Sequence, residues 1–503
     1  WWGLKNGKSS DSQSYFLAGR SMPWWVVGLS LFAASISSTT LIGQSGDAYH
    51  TGIAVFNYNL TGIVVMVFFA VFLLPLYIKS GIFTIPEFLE KRFDRRSRYY
   101  FSAICIIGNI FLDAAGALYA AALIIKLILP DADLQLIIIV FAIIAASYTI
   151  PGGLSSAINA ELIQAVILIL GSILLTFYCF QQGGDYFYQL FASGDISVKL
   201  IRPLTDTATP WLGLIVGMPV LGIYFWANNQ TVVQRVLSSK SVDEGRKGVL
   251  FTGFLTMLTL FIIAIPGVIA RHLFPGLEKP DMVYPNMVLQ LIPVGLLGIM
   301  LAALLSALTS TLSAILNSTS TLFTMDFYAQ YNKNASSQKL VIIGKITSCV
   351  IIVAAALWAP QIGKFGSLLK YYQEMLSYIA PPVVAAFLLG VFNKRVNGNG
   401  AFAGLLSGLA IAVVMLFYKN EIFGDMHFLL IVPFLLVASA LVIYLVSLRY
   451  VKPMESKLQD TAFSMDDLKA EFRATRGVTW YKNYYNWAII LLVLSVVIWV
   501  VFR

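Results

Sequence analysis

The sequence predicts an all-α polytopic membrane protein: two inverted five-helix repeats with discontinuous helices 1 and 6, plus extra flanking helices. Three observations carry the prediction. The 503-residue chain is 58% hydrophobic and 12% charged, with a mean hydropathy of +0.79, whereas soluble domains carry roughly 25% charge. Apolar windows of about 20 residues, long enough to cross a bilayer, recur from Trp24 to the C-terminus. Two of those windows are interrupted at corresponding places in the two halves of the chain.

Thirteen spans are expected, at about 24–49, 54–78, 99–128, 134–150, 153–181, 210–237, 246–274, 294–327, 339–359, 365–392, 400–418, 427–448 and 484–502. No cleavable signal peptide is visible. The opening Trp1-Trp2 followed by Lys5 and Lys8 reads as the frayed end of a span, so an upstream helix is expected to be missing. Orientation follows from basic residues. Lys79, Lys91, Arg92, Arg95, Arg96 and Arg98 fall in the loop between spans 2 and 3. Arg235, Lys240, Arg246 and Lys247 follow span 6, and Lys394 with Arg395 follows span 10. The opposite loops are short of Lys and Arg and carry Asp131, Asp133, Glu278, Asp281, Glu421 and Asp425. The segment 1–23 is therefore cytoplasmic and the C-terminus outside, in a plasma membrane (the inner membrane of a bacterium). The net charge of +9 is topological and gives no reason to expect nucleic acid.

Five domains are expected: the cytoplasmic segment 1–23, a first repeat 24–181, an extracellular loop 182–209, a second repeat 210–392, and additional helices 393–503 with a cytoplasmic linker at about 450–482. Five spans per block place the two blocks in opposite orientations. Span 1 turns polar in mid-membrane, AASISSTTLIGQSG (Ala33–Gly46), and span 6 reads GMPVLGIYFWANNQ (Gly217–Gln230). A helix is interrupted at that depth only where the freed backbone lines a cavity or is buried in protein. The stretch 84–100 reads as an interfacial helix whose basic cluster anchors topology and contacts lipid.

Span 8 holds the richest chemistry. Between Leu301 and Thr321 it carries nine Ser and Thr hydroxyls, with Ser310, Ser313 and Asn317 at helical spacing on one face. Such a seam either lets helices pack closely, its hydroxyls bonded back to the preceding turn, or offers hard oxygen ligands to a small dehydrated cation such as Na⁺. Cys105, Cys179 and Cys349 fall in apolar spans and suggest neither a disulfide framework nor a thiol site. His50, His272 and His427 lie at loop edges without metal-ligand spacing, so an enzyme is not expected. A channel would need rings of carbonyls or charges, and a sensor an appended domain; neither pattern is present.

Five segments resemble the sodium/solute symporters, which include the sodium–glucose cotransporters: FLAGRSMPWWVVGLSLFAA (Phe16–Ala34), YTIPGGLSSAINAELIQ (Tyr148–Gln164), NNQTVVQRVLSSKS (Asn228–Ser241), LNSTSTLFTMDFY (Leu316–Tyr328) and GVFNKRVNGNGAFAG (Gly390–Gly404). The second and last look like the family's signature patterns, and the likeness spans essentially the whole chain. It implies the inverted-repeat fold of the leucine transporter and sodium-coupled import of a small polar solute by alternating access, by a monomer. It implies a sodium site made by the carbonyls of Ala33, Ile36 and Ala307 and the hydroxyls of Ser310 and Thr311. A second sodium site of some relatives falls on Glu161, Ser310 and Ser313. Here Glu stands where relatives have Asp, and Ala314 replaces a Ser, so Glu161 is either a cation ligand or a protonated or solvated gate residue.

The implied solute pocket comprises Thr39, Thr40, Gln44, Tyr58, Asn59, Gly62, Asp113, Phe225, Trp226, Asn229, Thr256 and Gln373. It departs from the glucose/galactose pattern: the family's sugar-coordinating Glu is Asn59, its coordinating Lys is Thr256, and its inner-gate Tyr is Phe225. Asp113 replaces a neutral residue and is either the pocket's charge or a structural acceptor. A carboxylate there repels acidic solutes. A sugar, polyol or amino sugar is thus expected ahead of sialic acid, a vitamin or an amino acid.

Overall fold

A computed structural model describes residues 12–36, 39–206, 209–277, 279–365, 368–424, 426–475 and 477–503, and within those ranges omits the side chains of 12–14, 39, 127, 128, 148, 151–157, 159–161, 303, 306, 365, 419 and 420. Among the described residues the chain is helical apart from its connections, with no strand beyond two isolated bridges. Eleven helices are long and apolar enough to cross a bilayer, and a twelfth crossing is the bent pair Trp24–Ser35 and Thr40–Thr51. Their outer faces carry apolar stripes: Ile342, Ile346, Val350, Val353 and Leu357 are all exposed on Ser337–Trp358, three or four residues apart. Water would not tolerate that surface; acyl chains would.

Spans 4 and 5 differ from expectation. No loop separates them, because the backbone stays helical from Leu134 to Ser193. Within it Leu162–Ser193 is long and apolar enough to cross a bilayer, and Leu134–Ser147 is a shorter apolar stretch. At the start of the run, Lys126 Nζ donates to Ala132 O (2.6 Å) and Gln135 Nε2 to Ala356 O (3.4 Å), on the face away from the basic loops. Its middle reaches the basic face, where Tyr15 Oη donates to Ile150 O at 3.1 Å and Ile158 packs with Ala18 and Val26. Its end returns to the first face, beside Asn57 Nδ2, which donates to Leu200 O at 2.7 Å. The loop expected from 182 begins only after Ser193, where Gly194 adopts a φ of 66° and ends the helix.

Both expected breaks are present. Span 1 bends by 59° between its halves. Span 6 runs through Trp211–Val216, Met218–Ile223 and the widened turn Tyr224–Asn228, becomes extended at Asn229 (φ −72°, ψ 120°), and resumes at Gln230–Leu237. Widened turns also interrupt span 2 at Phe69–Leu73 and span 7 at Leu260–Ala264, about equally far from the helix starts, and span 3 at Asn109–Ala114. Such turns rotate the following side chains off the regular helical register and concentrate at functional sites.

The basic cluster between spans 2 and 3 is not uniformly a lipid anchor. Arg95 and Arg96 are exposed, but Arg92 and Arg98 are buried. Arg92 donates to Gly390 O (2.6 Å) and Asn393 O (2.9 Å), closing the last carbonyls of span 10. Arg98 holds the fully buried Asp326 through Nε (2.9 Å) and Nη2 (2.7 Å), while Thr84 Oγ1 donates to the same oxygen at 2.7 Å and Ser102 Oγ to the other at 2.5 Å. Tertiary packing thus turns half of a surface-looking cluster into the clamp between spans 3 and 8. The linker 450–482 is partly helical, at Glu455–Leu458 and Met465–Thr475, and Glu471 pairs with Arg246 at the start of span 7.

Candidate functional site

The two broken helices face one cavity of about 120 Å³. Of the expected solute residues, Thr40, Gln44, Tyr58, Asn59, Asp113, Phe225, Trp226, Asn229, Thr256 and Gln373 all line it. They come from spans 1, 2, 3, 6, 7 and 10. The side chain of Thr39 lies outside the described set, as does that of Glu161.

Each wall has a local cause. The half-helix Trp24–Ser35 ends at Ile36 (φ −81°, ψ 75°), where a helix cannot satisfy its last carbonyls itself. Phe32 O accepts Ile36 N–H (2.9 Å), and Ser35 O accepts Thr40 Oγ1 across the break (2.8 Å). On span 6, Asn229 caps the second half-helix by accepting Thr231 N–H at 2.8 Å. Phe225 and Trp226, on the widened turn, meet edge to face at 5.0 Å. Gly62 opposite is demanded by close approach: a Cβ there would lie 2.6 Å from Trp226 Nε1.

The polar groups divide into satisfied and unsatisfied. Gln44 and Asn59 form a reciprocal amide pair, Nε2 to Oδ1 at 3.0 Å and Nδ2 to Oε1 at 2.9 Å, and Asn59 Nδ2 also donates to Thr259 Oγ1 at 2.8 Å. A neutral network therefore stands where the family pattern has a Glu–Lys pair. Thr256 Oγ1 is turned back onto Thr252 O (2.8 Å). Asp113 and Tyr372 both line the cavity, where the two side chains interact. Gln373 Oε1 is buried with no hydrogen-bond partner.

The expected sodium ligands adjoin the same space. Ile36 and Thr311 line the cavity, and Ala33, Ala307 and Ser310 are buried. Thr311 Oγ1 donates to Ala307 O at 3.1 Å, leaving its lone pairs for another partner. Ser310 Oγ and Ser313 Oγ are buried with no hydrogen-bond partner among the described residues. An unsatisfied buried hydroxyl costs about 1–3 kcal/mol, so an oxygen-seeking cation fits this donor set. Close helix packing alone would leave the hydroxyls bonded back, as Thr311, Thr319 and Thr321 are, the last two to Ile315 O (2.7 Å) and Asn317 O (2.6 Å), so Ser310 and Ser313 are the two that depart from it.

Thr259 and Tyr372 are cavity residues that sequence reasoning did not single out. Thr259 lies one turn beyond Thr256, and Tyr372 precedes Gln373; nothing local distinguishes either from ordinary packing.

The chain matches the family model described as the sodium:solute symporter family over residues 15–408. The chain belongs to the sodium:solute symporter family. This symporter is 35% identical to sodium/glucose cotransporter 1 of Ovis aries, over 82% of its own length and 68% of that protein. It is 34% identical to a sodium/glucose cotransporter of Vibrio parahaemolyticus, over 82% and 81%. A solved structure of a Na⁺-coupled sialic acid symporter, substrate-bound and outward-open, shares its fold with a TM-score of 0.79 at 23% identity, covering 90% of this chain and 95% of that one. The protein is a multi-pass membrane transporter that uses sodium, and not an enzyme.

Proposed function

We propose that this symporter couples the inward movement of sodium to import of a sugar or related polyol or amino sugar, by alternating access. One observation carries the reading: the cavity lined by Asn59, Asn229, Gln373 and Trp226 also contains Ile36 and Thr311 of the expected sodium site. Trp226 offers an apolar face for a pyranose ring, and the unpaired Gln373 Oε1 offers an acceptor for its hydroxyls. Relatives named as glucose cotransporters support a carbohydrate. The Gln44–Asn59–Thr259 network speaks for a specificity other than glucose itself.

Sodium is held by the carbonyls of Ala33, Ile36 and Ala307 and the hydroxyls of Ser310 and Thr311, all uncharged oxygens. A neutral cage binds Na⁺ weakly enough to release it into a low-sodium cytoplasm. Filling it joins spans 1 and 8 beside the solute cavity and so raises solute affinity; by linkage the solute tightens sodium equally. The unpaired Ser313 hydroxyl, with Glu161, supports a second sodium site. The repeats comprise 24–181 and 210–392, the C-terminus lies outside the plasma membrane, and the monomer is the working unit. Uptake of labelled sugars into proteoliposomes under a sodium gradient, with choline replacing sodium as control, tests the function. Uptake indifferent to that replacement rejects it. Sialic acid, vitamins and amino acids rank lower because Asp113 would repel a carboxylate and no Arg or Lys lines the cavity among the described residues.

A further inference from the structure

Asp113 is the one formally charged side chain among the described residues lining the cavity. The remaining wall is amide, hydroxyl, aromatic and aliphatic, with no Lys, Arg, His or Glu. The widened turn Asn109–Ala114 carries residue 113, and Tyr372 of span 10, which lines the same cavity, interacts with its carboxylate. The other titratable groups that feel this carboxylate are Tyr224, Tyr371 and Cys105, none of which brings a positive charge. Elsewhere the chain treats a buried acid differently. Asp326 is fully buried between spans 3 and 8 and is matched by Arg98 at 2.7 Å. The position where the family pattern has a cation, Thr256, is neutral and bonds back to Thr252 O of its own helix.

A carboxylate facing a small, largely apolar space without a countercharge is costly. A hydroxyl-bearing ligand would donate to it but leave the charge uncompensated. An ammonium both donates and neutralises, and its charge-assisted hydrogen bond is roughly twice as strong as a neutral one. We infer that the transported solute carries a cationic amine received by Asp113, so that the favoured class is an amino sugar or amino polyol rather than the neutral parent. This rests on the reading of the cavity as a sugar site. Tyr372 is a positioning residue that keeps the carboxylate turned toward the cavity, and the aromatic pair Phe225–Trp226 and the amides Gln373 and Asn229 meet the uncharged remainder of the ring.

The test uses the purified full-length chain and matched probes: glucosamine, galactosamine and mannosamine against glucose, galactose and mannose, with the three N-acetylated amino sugars as equal-bulk, uncharged controls. Sodium-dependent thermal stabilisation is titrated for each. The free amines are expected to act at about ten- to a hundredfold lower concentration than their neutral parents and N-acetyl forms. Asp113→Asn is expected to erase that difference while the sodium-dependent shift without sugar persists, and Tyr372→Phe to narrow it. Equal potency of amine and parent in the unaltered protein overturns the inference and leaves sugar symport standing; that arm needs no variant to fold. A preference that survives Asp113→Asn overturns the role of the residue. If no probe binds with or without sodium, the sugar reading falls and the inference falls with it.

Discussion

Replacing Ser310 by Ala separates a cation ligand from a packing residue, because the two roles predict opposite signs. Ser310 Oγ is buried and makes no hydrogen bond among the described residues. Removing it therefore breaks nothing that the sodium-free fold relies on, and relieves an unsatisfied polar atom worth about 1–3 kcal/mol. Filling the methyl-sized void left by one oxygen costs a fraction of that. In choline buffer the variant should thus be as stable as the parent, or more so. In sodium the parent gains RT ln(1 + [Na⁺]/Kd), about 2.7 kcal/mol when sodium is a hundredfold above its dissociation constant. A variant lacking one of five oxygens should lose most of that gain. The assay is thermal unfolding of detergent-solubilised protein across a sodium titration at constant ionic strength, run beside sodium-driven uptake in proteoliposomes. A variant that is destabilised in choline by more than about 2 kcal/mol would show that the hydroxyl is structural. A variant that keeps the full sodium-dependent shift would refute the site.

Thr311→Val keeps shape but loses the hydroxyl that donates to Ala307 O; uptake should fall at least tenfold with insertion unchanged, measured as initial rates per protein inserted. Gly62→Ala places a Cβ 2.6 Å from Trp226 Nε1, so overpacking of about 1–3 kcal/mol should displace the indole, read as a shift in tryptophan fluorescence with weakened solute binding. Asp326→Asn leaves Arg98 with Glu90 (2.6 Å) as its remaining acid and weakens the charge-assisted bonds of the clamp of spans 3 and 8, which should cost about 1–3 kcal/mol, seen in thermal unfolding with or without sodium. Asp281, outside the spans, accepts Leu368 N–H at the start of span 10 with both oxygens at 3.3 Å, and burial pushes its carboxyl from 3.8 up to about 6. The arrangement shown prefers the protonated acid, so its contribution is full below pH 4 and lost as pH rises through about 6. Asp281→Asn should flatten thermal stability between pH 4 and 7, and an unchanged profile would remove Asp281 as its cause.

Much of the architecture is legible in the chain because membrane physics is local. A span announces itself as some 20 apolar residues, and its orientation by the basic residues flanking it. The breaks in spans 1 and 6 are equally local, since polar residues and Gly or Pro at mid-membrane depth have no other explanation than a cavity. The connection between spans 4 and 5 was not legible: a break at 151–152 is expected between spans 134–150 and 153–181, yet the backbone continues helically through it. The start of the outer loop was missed by 12 residues for the opposite reason, because polar residues 182–193 can extend a helix past the hydrocarbon until Gly194 stops it.

For the site, residue types and family pattern picked out about half of the positions that line the cavity, but not what each side chain does there. Ser310 and Thr319 are both hydroxyl residues of span 8; one is orphaned and the other bonded back to Ile315 O. Arg92 and Arg98 sit in the same basic run as Arg95 and Arg96, yet only the first two are buried. Asp113 meets Tyr372, and Asn59 meets Thr259, across hundreds of residues of chain. By itself the sequence determined that the chain crosses a membrane many times, where it breaks and which chemistry is available, since these depend on the free energy of short segments in lipid. Which polar groups are satisfied and which are left facing the cavity was decided only by the tertiary structure. A hydrogen bond needs its partner within about 3 Å, and that partner is supplied by a helix distant in sequence.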